Sequence, residues 1–110
     1  MTVNDLLKVE GFSAVVLAEG EREIEGVYIG DLLSWVMGRA KSGDAWITIM
    51  SNVNTIAVAT LADTSCIILA EGVTLDEGVK ETAKLKGINV ISTPLSSYSA
   101  ALKLYSSLKV

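Results

Sequence analysis

The sequence predicts an α/β protein, a three-layer sandwich with a mostly parallel central sheet and helices on both faces. Three observations carry this. From residue 45 onward the order is strand, helix, strand, helix, strand, helix, and right-handed crossovers make strands joined in this way parallel. The runs "AWITIM" and "CIIL" are apolar at successive positions, as strands covered on both faces are. Half of the 110 residues are hydrophobic, enough for one domain to bury a core without disulfides or metals, so residues 1–110 are read as a single domain.

Taken in order, "TVNDLLKVEG" reads as a short helix capped by Thr2 or Asn4 and stopped at Gly11. "FSAVVLAEG" is a near-continuous apolar run that predicts a strand of the same sheet, covered on both faces. In "EREIEGVYIG" Glu21, Glu23 and Glu25 recur at every second residue and share one face of an extended edge segment, where charge guards against aggregation. Asp31 is placed to cap "LLSWVMGRAKSG", whose Leu32, Leu33, Trp35, Val36 and Met37 spread over more than one face and leave an apolar side over. "AWITIM" is a strand, "SNVNT" a polar turn, "IAVATLAD" a closely packed helix and "CIIL" a buried strand. In "VTLDEGVKETAKLKG" the spacing of Thr74 and Glu77 predicts a capping box, and Gly87 the helix end. "INVIS" follows as a strand, and residues 93–110 as a closing helix with Thr93 as cap and Pro94 in its first turn.

Composition excludes several functions. The net charge of −4, with Arg22 and Arg39 the only arginines, argues against a nucleic-acid binder, which needs clustered cations. Acidic residues crowd the first quarter while Lys80, Lys84, Lys86, Lys103 and Lys109 lie late, an asymmetry read as a solvated surface able to orient self-association. No run reaches the roughly 18 apolar residues of a membrane span, and the N-terminus lacks a signal-peptide pattern, so a cytoplasmic protein is expected. Cys66, alone in its apolar run, reads as a buried and inert thiol, and no metal site is expected.

In an open parallel sheet, ligands bind beyond the carboxyl ends of the strands, where helix N-termini present free amides. Four segments are expected there: residues 18–20, 51–55, 70–74 and 92–97. Three lead into helices and are rich in hydroxyls and amides, which suits a small polar or phosphorylated ligand, although the same residue types cap helices. Catalysis finds little support. There is no histidine, no activated serine, no Walker lysine and no G-x-G-x-x-G. The repeated "LAEG" at residues 17–20 and 69–72 offers Glu19 and Glu71 as an acid and base pair only if the two strand ends meet. Trp35 and Trp46 read as core or interface residues.

"IEGVYIGDLLSWVMG" together with "SNVNTIAVATLADTSCIILAEG" resembles the DRTGG domains, small bacterial and archaeal modules that stand alone or beside CBS domains in regulated pyrophosphatases and within phosphotransacetylases. More distantly the chain is similar to the N-terminal domains of HPr kinase and of Mur ligases, and the resemblance implies an α/β sandwich. The family motif, an Asp-Arg pair after one strand and Thr-Gly-Gly after the next, falls on Asn52 and Val53 and on Ala70, Glu71 and Gly72. Only Gly72 keeps the motif residue. Val53 removes the planar cation best suited to phosphate, and Glu71 repels an anion bound nearby.

The expected function is a non-enzymatic regulatory module without cofactor: a homodimer that senses a small ligand or docks on a partner protein, a kinase-like signalling ATPase or a metabolic enzyme. The alternative is a nucleotide- or phosphometabolite-binding protein using the strand-end loops. The expected ligand residues are Ser51, Asn52, Asn54, Thr55, Glu71, Gly72, Thr74 and Thr93, and the expected dimer contacts Leu32, Trp35 and Val36.

Overall fold

In the computed structural model, residues 1–108 are described; Lys109 and Val110, the end of the expected closing helix, lie outside the described residues. The elements run α1 (Val3–Leu6), β1 (Ser13–Val16), β2 (Gly26–Ile29), α2 (Leu33–Arg39), β3 (Asp44–Thr48), α3 (Val53–Ala62), β4 (Cys66–Leu69), α4 (Glu77–Lys86), β5 (Val90–Ser92) and α5 (Ser97–Leu108). They build one five-stranded sheet in the order β1-β5-β4-β3-β2. Strands β2 to β5 are parallel and β1 is antiparallel to β5.

The side chains of each central strand alternate between two cores. Ala45, Ile47, Cys66, Ile68 and Ile91 pack with Val3, Leu6, Ala100 and Leu104 of α1 and α5. Trp46, Ile67, Leu69 and Val90 pack on the other face with Val36, Ile56, Val58, Ala59 and Ala83 of α2, α3 and α4. The three-layer sandwich is therefore present, and the continuous apolar runs have their cause in burial on both faces, worth about 1.5–3 kcal/mol per large aliphatic side chain. Trp46 is fully buried, with its indole Nε1 donating to the Gly30 carbonyl at 2.8 Å. Burial pushes the Cys66 thiol up to about 12, so it stays protonated and inert.

Local signals hold where the backbone alone decides. Thr2 caps α1 in a reciprocal capping box with Asp5, and Gly87 ends α4 in the left-handed region. Five expectations need correction. The strand β1 is not covered on both faces: it forms the antiparallel edge, with Val16 buried but Ser13, Ala14 and Leu17 exposed. The alternating glutamates precede the other edge rather than lying in it, since Glu23 forms an isolated bridge with Thr2 and the paired strand begins at Gly26. Asp31 does not cap α2, whose N-cap is Leu32; its carboxylate accepts from the Thr48 hydroxyl at 2.8 Å and the Ile49 amide at 3.1 Å. The Thr74–Glu77 box does not form, because α4 begins only at Glu77 behind Asp76. Pro94 stands before α5 rather than in its first turn, and the Ser96 hydroxyl accepts from the Ser99 amide at 3.2 Å there.

Candidate functional site

Parallel pairing of β2 to β5 brings their carboxyl ends to one edge of the sheet. The loops that leave this edge are stitched together by backbone bonds. The Glu71 amide donates to the Leu95 carbonyl at 2.8 Å, Gly72 to Thr93 at 2.9 Å and Ala70 to Thr48 at 3.0 Å. Thr48 extends the network sideways, its hydroxyl donating to Asp31 and accepting from the Met50 amide at 3.1 Å. Residues 51–55, 70–74 and 93–95 therefore share one rim, next to the segment that enters α2.

The expected ligand residues divide in two. Asn52, Asn54, Glu71, Gly72 and Thr74 are exposed on the rim and Ser51 is half-buried. Thr55 and Thr93 are buried, so neither presents its side chain to a surface ligand. The Thr93 hydroxyl instead accepts from the Leu95 amide at 3.2 Å and shapes the turn. Asn52 is the N-cap of α3 and its Oδ1 accepts from the amides of Asn54 and Thr55 at 2.9 and 3.3 Å, occupying donors that an anion would use. Glu71 and Gly72 have φ of 60° and 70°, consecutive left-handed residues. The resemblance places the motif's paired glycines at these two positions, and glycine adopts such a backbone at no steric cost.

The fourth expected segment, residues 18–20, is elsewhere. Because β1 runs antiparallel, its end lies at the amino end of β5, where Asn89 Oδ1 accepts from the amides of Ala18 and Glu19, both at 2.8 Å. Asn89 Nδ2 donates in turn to the carbonyls of Glu19 at 2.8 Å and Ser65 at 3.0 Å. Glu19 and Glu71 thus stand at opposite edges of the sheet and do not form a pair. Glu19 borders a small polar cleft of about 150 Å³ that also contains Arg22, Asp63 and Lys86. The sequence carried one signal for this junction: an asparagine inside "INVIS" must find partners when buried.

At the N-cap and in the first turn of α2, Leu32 and Trp35 are 59% and 54% exposed, and the Arg39 guanidinium lies 3.8 Å over the Trp35 ring. Val36 is fully buried in the core beneath the helix, so it cannot belong to a dimer surface. With Leu32 and Trp35, the exposed Ile49 and Val53 form an apolar fringe around the rim at the carboxyl ends of β2 and β3.

The family model for the DRTGG domain matches residues 9–107. Among solved structures, the chain is similar to the CBS and DRTGG domains of the regulatory region of Clostridium perfringens pyrophosphatase, complexed with its activator diadenosine tetraphosphate. The TM-score is 0.76 at 21% identity, over 96% of this chain and 46% of that one. The likeness is one of fold, and the chain spans less than half of that regulatory region. No curated protein matches the sequence.

Proposed function

The chain belongs to the DRTGG domain family, and from this premise we propose a non-enzymatic regulatory module, homodimeric through the exposed side of α2, that senses a small ligand at the carboxyl edge of its sheet. One observation carries the reading: the Asp31 carboxylate ties the entry of α2 to the Thr48 hydroxyl and the Ile49 amide, at the start of the loop that leads to Ser51 and Asn52. A ligand that reshapes this loop acts directly on the helix bearing Leu32 and Trp35. The ligand class is a nucleotide or phosphometabolite, in keeping with the activator bound by the pyrophosphatase regulatory region. The exposed Asn54 amide and Thr74 hydroxyl, with the half-buried Ser51 beside them, suit its polar groups. Val53 and Glu71 supply no cation for its phosphates, so affinity is expected to be modest and to rise when the Glu71 charge is removed.

Thermal shift of the full chain against AMP, ATP and diadenosine tetraphosphate tests this. Ligand at a hundred times Kd stabilises by about 2.7 kcal/mol, a shift of roughly 10 °C or more for a domain of this size. Glu71→Gln should enlarge the shift. No shift with any of the three at millimolar concentration, for either protein, would sink the nucleotide reading. Docking on a partner protein, a kinase-like ATPase or a metabolic enzyme, would then stand in its place, supported by the apolar fringe and by Asn52 already occupying the α3 amides.

A further inference from the structure

A groove lies away from the rim, along the free edge of β2. The strand is last in the sheet order, and an edge strand leaves alternate N–H and C=O groups unpaired. Register with β3 places Val27 and Ile29 on the same face as Ala45 and Ile47, the face that α1 and α5 cover. Ile29 is nevertheless 48% exposed, because α5 packs over β3 and leaves the outer strand bare. The result is a groove of about 520 Å³ between β2 and α5, walled on the helix side by Ala101, Tyr105 and Leu108.

Two features define what fits. Five consecutive residues, from Glu25 to Ile29, line the groove. Since neighbouring side chains of a strand point to opposite faces, a lining of this kind reaches the backbone edge itself, so an occupant meets main-chain donors and acceptors as well as apolar side chains. Glu25, one of the lining residues, is exposed and without an ion-pair partner among the described residues, none of whose lysines or arginines lines the groove.

We propose that this edge docks an extended segment of another protein, about four or five residues long at roughly 3.3 Å per residue, which adds as a sixth strand. It places apolar side chains at alternate positions against Val27, Ile29 and Tyr105, and a lysine or arginine beside Glu25. A second copy of this chain is the poorer occupant. Its own β2 segment, residues 25–32, carries Glu25 and Asp31 and no cation, and each copy has a net charge of −4. The inference is independent of the ligand reading, since it concerns a different edge of the sheet.

The test uses the full chain, isotope-labelled, titrated with an acetylated and amidated hexapeptide that alternates valine and threonine behind a lysine, and with its twin carrying glutamate instead. The expected result is movement of the Gly26–Ile29 amide resonances, at least tenfold tighter binding of the lysine peptide, and inversion of that preference in Glu25→Lys. Tyr105→Ser should weaken the lysine peptide at least threefold. Equal binding of the twins, or no movement of these amides at millimolar peptide, would overturn the proposal. Concentration-dependent broadening of the same amides without peptide would also overturn it, by assigning the edge to a second copy.

Discussion

Glu71 sits at φ 60° with an exposed side chain, and Gly72 follows at φ 70° with open space where a Cβ would stand. A side chain in this region costs about 1 kcal/mol against the preceding and following carbonyls, partly offset by the greater unfolded freedom of glycine. Glu71→Gly is therefore expected to stabilise the fold by about 0.5 kcal/mol, and Gly72→Ala to destabilise it by about the same amount, both read as shifts in urea midpoint at unchanged slope. Loss of stability in Glu71→Gly would mean that the carboxylate makes a compensating contact. The sequence pointed to this turn through the motif position, but it could not separate Thr93 and Thr55 from the exposed rim. Both have the residue type of a ligand contact, and only packing shows that they face inward.

The elements end in ways that set an acid limit. Asp63 closes α3 in the left-handed region. The Ser42 hydroxyl donates to its carboxylate, Arg22 lies 3.1 Å away, and together, the hydroxyl first, they hold the carboxyl below its ordinary value. Asp5 is lowered too, chiefly by the Thr2 amide and hydroxyl of the capping box. A carboxyl lowered on folding contributes stability that is present above its unfolded value, about 3.9, and is lost as pH falls through the folded one. Stability should hold at pH 5 and decline below about pH 4. Asp63→Asn tolerates the same backbone and should flatten that decline in denaturant titrations at pH 5, 4 and 3; an unchanged limb would place the titration elsewhere. Helix ends were legible where glycine or a reciprocal cap marks them, as at Gly87 and Thr2. The spacing at Thr74 and Asp31 fits a cap too, but at Thr74 the chain is still turning and the Asp31 carboxylate is bonded to the end of β3.

At the scale of the whole molecule, the proposed association depends on which residues of α2 remain uncovered. Trp35 is about half exposed and Val36, its neighbour, is fully buried. Trp35→Glu should leave the melting temperature nearly unchanged and convert a sedimenting dimer to monomer. Val36→Asp places a carboxylate in the core, a cost of several kcal/mol against a total stability of about 5–15 kcal/mol, and should unfold the chain. A wild-type monomer at micromolar concentration would remove the dimer from the functional reading while leaving the rim and the β2 edge untouched.

The sequence by itself determined the class and much of the order of this protein. Runs such as "CIIL" have only one stable home, between two helical layers, and alternation with helices leaves only parallel crossovers to connect them. Tertiary structure alone decided the direction of β1, because an apolar run of four residues carries no sign of whether its partner runs with or against it. That single reversal sends the two "LAEG" stretches to opposite edges of the sheet, Glu19 to the Asn89 junction and Glu71 to the rim. That residues 21–30 lie at an edge was already legible in their alternating glutamates; which strand the edge adjoins, β3, was settled by the surfaces that remained to be covered after the central strands had paired.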